Sequence, residues 1–261
     1  MRKILLFCVL IFGFIACKQK ENKPENNISE KQIEEISKAE KGLEELSLTH
    51  HAADFKSHQA IRFQTKSSID KPALRITLST DLNRFKIQSE DSKFLYFDGN
   101  YFYSSEENLD KQLLQQMLST IYYFSLPYHI ENFTEKAIQQ KEKDSLLNSA
   151  FNSLELQLKE NPFLTIKENK IKTFADPSTN FLTAVKYFTP EEEEEIIVYQ
   201  NYFSIGKILF AKYWEFYSAD KSQKENPIST EKITLSRVNF FTPQEEHFKI
   251  PKDVHKVEIV R

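Results

Sequence analysis

The stretch "KFLYFDGNYFYSS", residues 93–105, has the pair Asp98-Gly99 between two runs of aromatic residues. An Asp-Gly pair between such runs favours the tight turn of a β-hairpin, because glycine readily adopts the left-handed backbone conformation that these turns need. Apolar and polar residues also alternate on both sides of the hairpin, which is the period of a half-buried strand. The sequence therefore predicts an antiparallel sheet built outward from this hairpin.

The alternation predicts strands both before and after the hairpin. The predicted strands lie at residues 60–63, 74–78, 85–87, 163–171, 181–188, 196–203, 208–217, 233–241 and 257–260. Their number and order favour an α+β domain over residues 28–261, with a strongly curved, mostly antiparallel sheet that forms a half-barrel.

Three segments instead repeat apolar residues at helical spacing. They predict a helix over residues 30–48, a second from Leu109 that Pro127 ends, and a third over residues 134–158. In the third segment the apolar positions are Leu146, Leu147, Ala150, Phe151 and Leu154. We expect these two or three helices to pack on the concave face of the sheet.

Charge and glycine content exclude several classes of function. The chain has 261 residues and a formal net charge of -3, with acidic and basic residues interspersed, so no field of one sign is available to a nucleic-acid backbone. Its four glycines, Gly13, Gly42, Gly99 and Gly206, are far apart. Phosphate-binding loops need clustered glycines, so we expect no nucleotide-dependent chemistry and no cofactor.

The amino terminus predicts export. Residues 1–16 carry Arg2 and Lys3, then an apolar run over residues 4–12, and the string "GFIA" leads to Cys17. The run is shorter than the roughly 20 residues that a helix needs to cross a bilayer. This order is typical of a secretory signal peptide, and "GFIAC" resembles the bacterial lipobox, in which the cysteine is lipidated. The alternatives are an ordinary signal peptide that contains Cys17, or an uncleaved amino-terminal anchor.

Lipidation of Cys17 has further consequences. Cys8 is lost with the signal peptide, so no free thiol remains for catalysis or for a thiolate zinc site. Residues 17–27 are polar after the cysteine and predict a disordered tether. Lys18 resembles an outer-membrane retention signal. We therefore expect an outer-membrane lipoprotein that faces the periplasm or the cell surface.

One cluster could bind a metal. His50, Asp54 and His58 lie at positions i, i+4 and i+8, and imidazole and carboxylate groups are zinc ligands. Against this, the two histidines would be about 12 Å apart along a helix, so capping or surface histidines are the alternative. The acidic run 191–195 predicts a solvated turn, with calcium binding or protein docking as the alternative. No serine has a nucleophile motif, and we predict no enzyme and no metal.

The aromatic residues suggest an apolar ligand. Their concentration in strands with two apolar faces, as in "ILFAKYWEFY", favours either a packed core or a cavity for a hydrophobic molecule. The candidate lining residues are Phe94, Tyr96, Tyr101, Tyr103, Phe210, Trp214 and Phe216.

The order of these features carries a resemblance. A lipobox, a tether, a helix with His50 or His51, the hairpin "YFDGNYFY" and the string "IYYFSLPYHI" resemble a family of uncharacterised lipoproteins of the Bacteroidota over most of residues 40–258. That architecture is similar to the lipoprotein carriers and acceptors of the outer membrane. The resemblance implies an apolar cavity that holds acyl chains, and it brings no catalytic or binding residue with it.

Three hypotheses follow from the sequence. The first is a non-enzymatic envelope lipoprotein that binds a lipid or another hydrophobic molecule. The second is a structural or interaction lipoprotein that docks a partner protein through its sheet. The third is a metal-dependent hydrolase built on His50, Asp54 and His58.

Overall fold

The structure is a computed structural model, and it describes residues 30–161, 163, 170–188, 194–219 and 227–259. These residues form three α-helices, thirteen β-strands and one short 3₁₀ helix. Cys17, the predicted signal peptide and the predicted tether lie outside them. None of the described helices is long and apolar enough to cross a membrane.

The helices are α1 (Glu30–Thr49), α2 (Ala52–Ser57) and α3 (Lys111–Phe133). The strands are β1 (Ala60–Ser67), β2 (Leu74–Ser79), β3 (Phe85–Ser89), β4 (Phe94–Phe97), β5 (Phe102–Ser104), β6 (Thr134–Leu146), β7 (Ser149–Leu158), β8 (Lys170–Ala175), β9 (Leu182–Phe188), β10 (Glu194–Ile205), β11 (Ile208–Ala219), β12 (Ile228–Phe241) and β13 (His255–Val257).

All thirteen strands belong to one open antiparallel sheet. Its order is β13-β5-β4-β3-β2-β1-β12-β11-β10-β9-β8-β7-β6. Consecutive strands pair as neighbours through β1 to β5 and again through β6 to β12, and the pairing of β1 with β12 joins these two meanders. The predicted antiparallel sheet with two or three helices is confirmed. The predicted strand at residues 163–171 lies mostly outside the described residues, and β8 begins at Lys170.

The hairpin that anchored the prediction is β4 with β5. Phe97 pairs with Phe102, and Gly99 between them has φ +98°, in the left-handed region. Oδ1 of Asp98 accepts hydrogen bonds from the backbone N–H groups of Asn100 and Tyr101, both at 2.8 Å. Asp98 therefore fixes the turn that Gly99 permits, as predicted.

Helix α3 forms the centre of the core. Every residue over positions 120–130 is buried, so this part of the helix is covered on all sides. On the sheet side, the ring of Phe124 lies 3.8 Å from that of Phe63 and 5.9 Å from that of Phe210. One turn further along α3, Phe55 of α2 stacks on Tyr128 at 4.2 Å. Helix α3 therefore packs on one face of the sheet and also contacts α1 and α2.

The prediction that Pro127 ends this helix is wrong, because α3 continues to Phe133. Proline has no N–H to donate to the carbonyl of residue i−4, here Tyr123. In the structure the hydroxyl of Tyr199, on β10, donates to that carbonyl at 3.1 Å. A side chain of the sheet therefore supplies the hydrogen bond that the proline removes, and the helix can pass through it.

The predicted third helix over residues 134–158 is also wrong, because this segment is the hairpin of β6 and β7. Leu147 and Asn148 form its turn with φ of 48° and 63°. The apolar positions that suggested a helix include a spacing of four residues, which fits a strand as well as a helix. The alternation of buried Leu154, Leu156 and Leu158 shows the strand period.

The predicted helix over residues 30–48 is confirmed as α1. It packs on β6 and α3, and at Gly42 a Cβ atom would come within 3.0 Å of the side chain of Gln140. Glycine therefore permits the close approach of α1 to β6. The predicted apolar face is buried only in part: Leu46 is buried, whereas Ile33 is 56% exposed.

Candidate functional site

The carboxyl-terminal half of α3 packs on the sheet and leaves no room there for a ligand. Between Tyr128, Phe210 and Trp214 the structure leaves a cavity of only about 10 Å³. This volume is at the limit for one water molecule, so this part of the interface is a packed core. Phe210 and Trp214 are 1% and 2% exposed.

A larger cleft opens beside the amino-terminal half of α3. Its volume is about 280 Å³. Helix α3, the β1–β2 loop and strands β10, β11 and β12 line it. The lining residues are Lys71, Gln112, Gln115, Gln116, Ser119, Thr120, Tyr123, Glu195, Phe216, Glu231 and Ile233.

The floor of this cleft is apolar. The ring of Tyr123 lies 5.5 Å from that of Phe216, and Ile233 continues the surface on β12. All three residues are part of the buried core. Burial raises the pKa of Tyr123 well above its ordinary value, and the charge of Glu195 acts in the same direction. Tyr123 is therefore a neutral phenol at physiological pH.

The rim of the cleft is built from side-chain amides. Gln112, Gln115 and Gln116 lie on the first two turns of α3. The side-chain amide of Gln116 donates to the carbonyl of Pro72 at 3.2 Å, which ties the β1–β2 loop to the helix. Side-chain amides both donate and accept hydrogen bonds, so this rim can bind a polar head group that accepts hydrogen bonds or one that donates them.

One end of the cleft is charged. Glu231 accepts hydrogen bonds from the hydroxyl of Ser67 at 2.6 Å and from Nζ of Lys71 at 2.5 Å, and its side chain is only 10% exposed. Burial raises the pKa of Glu195, the charge of Glu231 raises it further, and Lys71 opposes both. The cleft thus combines an apolar floor with hydrogen-bonding groups at one end and along the rim, as sites for small amphipathic molecules do.

The predicted lining residues separate into two groups. Phe216 lies in the cleft, and Phe210 and Trp214 face the packed part of α3. Phe94, Tyr96, Tyr101 and Tyr103 belong to the hairpin.

These four hairpin residues lie on the face of the sheet that points away from the core. Phe85 and Ile87 of β3 point into the core, so Lys86 between them points away from it. Nζ of Lys86 lies 4.9 Å from the ring of Phe94 and 5.6 Å from that of Tyr96. Tyr103 pairs with Tyr96, and Tyr101 is 48% exposed with Nζ of Lys256 3.4 Å from its ring. The seven residues therefore share no single cavity, and their contact with a ligand stays a prediction.

The three residues of the possible zinc site point to different partners. His50 is buried, and its Nε2 accepts a hydrogen bond from the backbone N–H of Leu182 at 2.9 Å. Asp54 lies 3.2 Å from Nδ1 of His51. His58 stacks on Phe240 at 3.9 Å. They do not converge, because a left-handed residue between α1 and α2, with φ of 53°, breaks the helix on which the spacing depended.

Two further points concern possible ligands for a metal. Residues 191–193 of the acidic run lie outside the described residues, and Glu194 and Glu195 begin β10. Among the described residues, no three His, Cys, Asp or Glu side chains form a group that could hold a metal ion.

Sequence reasoning missed most of the cleft. Lys71 and Glu231 had no motif around them, and Tyr123 and Ile233 were not among the predicted lining residues. One signal was available: Glu231 precedes Ile233 and Leu235 at a spacing of two, so the alternation of β12 places this carboxylate on the buried face. A charged residue in such a position needs a partner, which here is Lys71.

The comparison with known proteins gives a fold. The sequence matches no protein-family model and no curated protein. The structure is similar to a LolA superfamily protein from Nitrosomonas europaea, with a TM-score of 0.50 and 11% identity over 81% of this chain and 97% of that chain. It is similar to a DUF1329 family protein from Desulfovibrio piger, with a TM-score of 0.50 and 8% identity over the same shares. The chain therefore has a LolA-like fold.

Proposed function

We propose that the protein is a non-enzymatic envelope lipoprotein that binds a lipid or another amphipathic molecule in the cleft between α3 and strands β10 to β12. The observation that carries the proposal is the cleft itself: about 280 Å³ with Tyr123, Phe216 and Ile233 as its floor and amides at its rim. The LolA-like fold supports it, since the sequence resemblance implied the architecture of lipoprotein carriers.

The size of the cleft limits the ligand. About 280 Å³ is near the lower end of the roughly 300–1,000 Å³ of small-molecule sites. The interface around Tyr128, Phe210 and Trp214 is filled. The cleft therefore accepts a short apolar group with its polar head at Lys71, Glu195 and Glu231. We place the helices on the concave face of a half-barrel. Binding of a whole acyl chain then requires α3 to move off that face.

Anchoring is part of the proposal. Residues 1–16 are removed as a signal peptide, Cys17 is acylated, residues 17–27 form the tether, and residues 28–261 form one domain. A lipoprotein of the Bacteroidota at the outer membrane, facing the periplasm or the cell surface, fits this order. Cells fed an alkyne-labelled fatty acid should label the wild-type protein and leave a Cys17→Ser variant unlabelled. Equal labelling would contradict the anchor.

The ligand is tested on the full chain purified from membranes in a mild detergent. Native mass spectrometry, followed by organic extraction, should reveal a discrete bound mass. Phe216→Leu should reduce it, because the substitution reshapes the floor of the cleft. Phe174→Leu is the matched control, since Phe174 is also buried but belongs to a separate hydrophobic cluster. An unliganded wild-type mass, unchanged after incubation with envelope lipids, would refute lipid binding.

A docking lipoprotein is the second candidate function. The packed core around Phe210 and Trp214 favours it, because a carrier needs space that this interface lacks. In this case the aromatic residues of the outer face, including Tyr101, would contact a partner protein. Chemical crosslinking in membranes should then capture one reproducible partner, and Tyr101→Ser should abolish its capture.

A further inference from the structure

A second depression lies on the face of the sheet that points away from α3. Its volume is about 440 Å³, and polar side chains dominate it. It crosses the ends of β1, β2 and β3 and the middle of β12. The lining residues are Gln64, Thr65, Lys66, Ala73, Leu74, Arg75, Gln88, Ser89, Glu90, Ser92, Ser236 and Arg237.

The pairing of the strands determines which residues lie side by side at the centre of this depression. Gln64 on β1 pairs with Ser236 on β12 and with Arg75 on β2, and Arg75 pairs with Gln88 on β3. Directly paired residues have side chains about 5 Å apart on the same face. A continuous row of hydroxyl, amide, guanidinium and amide groups therefore crosses four strands.

Three cations lie in or beside this row: Arg75 is part of it, and Lys66 and Arg237 flank it. Lys66, Arg75 and Arg237 are exposed, and Glu90 is the one carboxylate among the lining residues. Within the part of the chain that the structure describes, none of the three side chains forms an ion pair or a hydrogen bond, whereas Lys71 pairs with a carboxylate. Lys66 lies one diagonal step from Arg75, at about 7–8 Å, where like charges repel. The depression therefore has an excess of positive charge among its lining residues.

A β-bulge places the third cation. Arg62 pairs with Asn239 but Gln64 pairs with Ser236, so β12 has one more residue than β1 at this point. Arg237 occupies the bulge with φ of 53°. This left-handed conformation is energetically unfavourable for a residue with a side chain. Bulges redirect side chains. Here the strained residue brings a guanidinium to the row of polar groups.

We propose that this depression binds a phosphate group. Two guanidinium forks and an ammonium match the charge and the oxygens of a phosphate, and amides and hydroxyls can complete its hydrogen bonds. The depression is much larger than one phosphate ion, so the group is carried by a larger molecule. A phospholipid headgroup and a soluble phosphate ester share this chemistry. The site lies on the opposite face from the cleft and is independent of the function proposed for it.

The test uses the full chain in a neutral detergent at low salt, because surface electrostatics weaken as salt rises. Glycerol phosphate binding is measured by ³¹P NMR titration. We expect Arg75→Gln and Arg237→Gln each to weaken it about tenfold, as expected for loss of a charged hydrogen-bonding partner. Lys207→Gln removes the same charge from the exposed β10–β11 turn and should leave the affinity unchanged. Arg75→Lys, which keeps the charge without the fork, should lie between.

A second titration identifies the source of the phosphate. Water-soluble dihexanoyl phosphatidic acid binding more tightly than glycerol phosphate, with the same sensitivity to both arginine variants, indicates a lipid headgroup. Equal affinities indicate a soluble ester. The proposal is overturned if the wild-type protein binds neither probe, or if Lys207→Gln weakens binding as much as the two arginine variants do. Circular dichroism of each variant confirms that the exposed substitutions leave the fold intact.

Discussion

The hydrogen bond from Tyr199 to the carbonyl of Tyr123 can be tested by replacing Tyr199 with phenylalanine. The hydroxyl donates at 3.1 Å to a carbonyl that Pro127 deprives of its helical partner. Tyr199 is 3% exposed, so water cannot readily replace the lost donor. An unsatisfied buried acceptor costs about 1–3 kcal/mol. We expect Tyr199→Phe to lower the free energy of unfolding by about this amount.

We expect Pro127→Ala to remove most of the free-energy cost of Tyr199→Phe. Alanine restores an N–H that can bond to the Tyr123 carbonyl, so the acceptor is satisfied without Tyr199. In the Pro127→Ala background, Tyr199→Phe should therefore cost less than about 1 kcal/mol. The difference between the two backgrounds is the coupling between residues 127 and 199, which a double-mutant cycle measures directly.

Urea denaturation of the four proteins, followed by circular dichroism, gives the cycle. Tyr202→Phe, made in both backgrounds, is the matched control, because the hydroxyl of Tyr202, on the same strand, donates to the carbonyl of Leu182 and not to α3. Its removal should cost the same with or without the proline. An equal loss from Tyr199→Phe in both backgrounds would refute the compensation of Pro127.

Three further predictions concern stability. Burial lowers the pKa of His50 from 6.5 to about 4, so the unfolded chain binds more protons than the folded chain between these pH values. The free energy of unfolding should therefore fall by up to about 3 kcal/mol as the pH drops from 6.5 to 4. Urea midpoints measured across this range should fall less in His50→Gln. Lys143→Gly should raise the free energy of unfolding by about 1 kcal/mol, because Lys143 is exposed and has φ of 55°; an unchanged urea midpoint would contradict this. Asp144→Asn should lower the free energy of unfolding by about 3 kcal/mol, since the Asp144 side chain is 10% exposed and pairs with Lys141 and Lys172. Thermal unfolding measures this change, and a loss of stability no larger than that of Lys141→Gln would count against a buried network.

Local signals in the sequence were sufficient for much of the sheet. Asp98-Gly99 predicted the turn because the hydrogen bonds that Asp98 accepts come from residues two and three positions further along the chain. The alternation in β1, β2 and β3 predicted strands because one face of each is buried in the core. The order of these elements also implied the architecture that the LolA-like fold confirms.

The errors arose where distant residues decide the local structure. Pro127 continues a helix because of Tyr199, 72 positions away in the chain, and local sequence around the proline contains no sign of that donor. Residues 134–158 were ambiguous between helix and strand, and pairing of β7 with both β6 and β8 decided for the strand. Neither outcome follows from propensity alone.

The candidate site was the least predictable part. Of the residues proposed from aromatic content, Phe216 lies in the cleft, while the hairpin aromatics lie on the opposite face of the sheet. The polar end depends on Lys71 and Glu231, which meet only because β1 pairs with β12. A site formed across a long-range strand pairing has no local motif.

The pairing of β1 with β12 also sets the order in which the chain can fold. Each meander consists of neighbouring hairpins, whose contacts are local and close quickly. Their junction joins residues such as Ser67 and Glu231, which are 164 positions apart, and the loop entropy of that closure must be paid before its contacts form. We expect this junction to form late and to be among the first parts of the sheet to exchange its amide hydrogens. Because Lys71 and Glu231 lie across it, the charged end of the cleft assembles only when the two halves of the sheet have met.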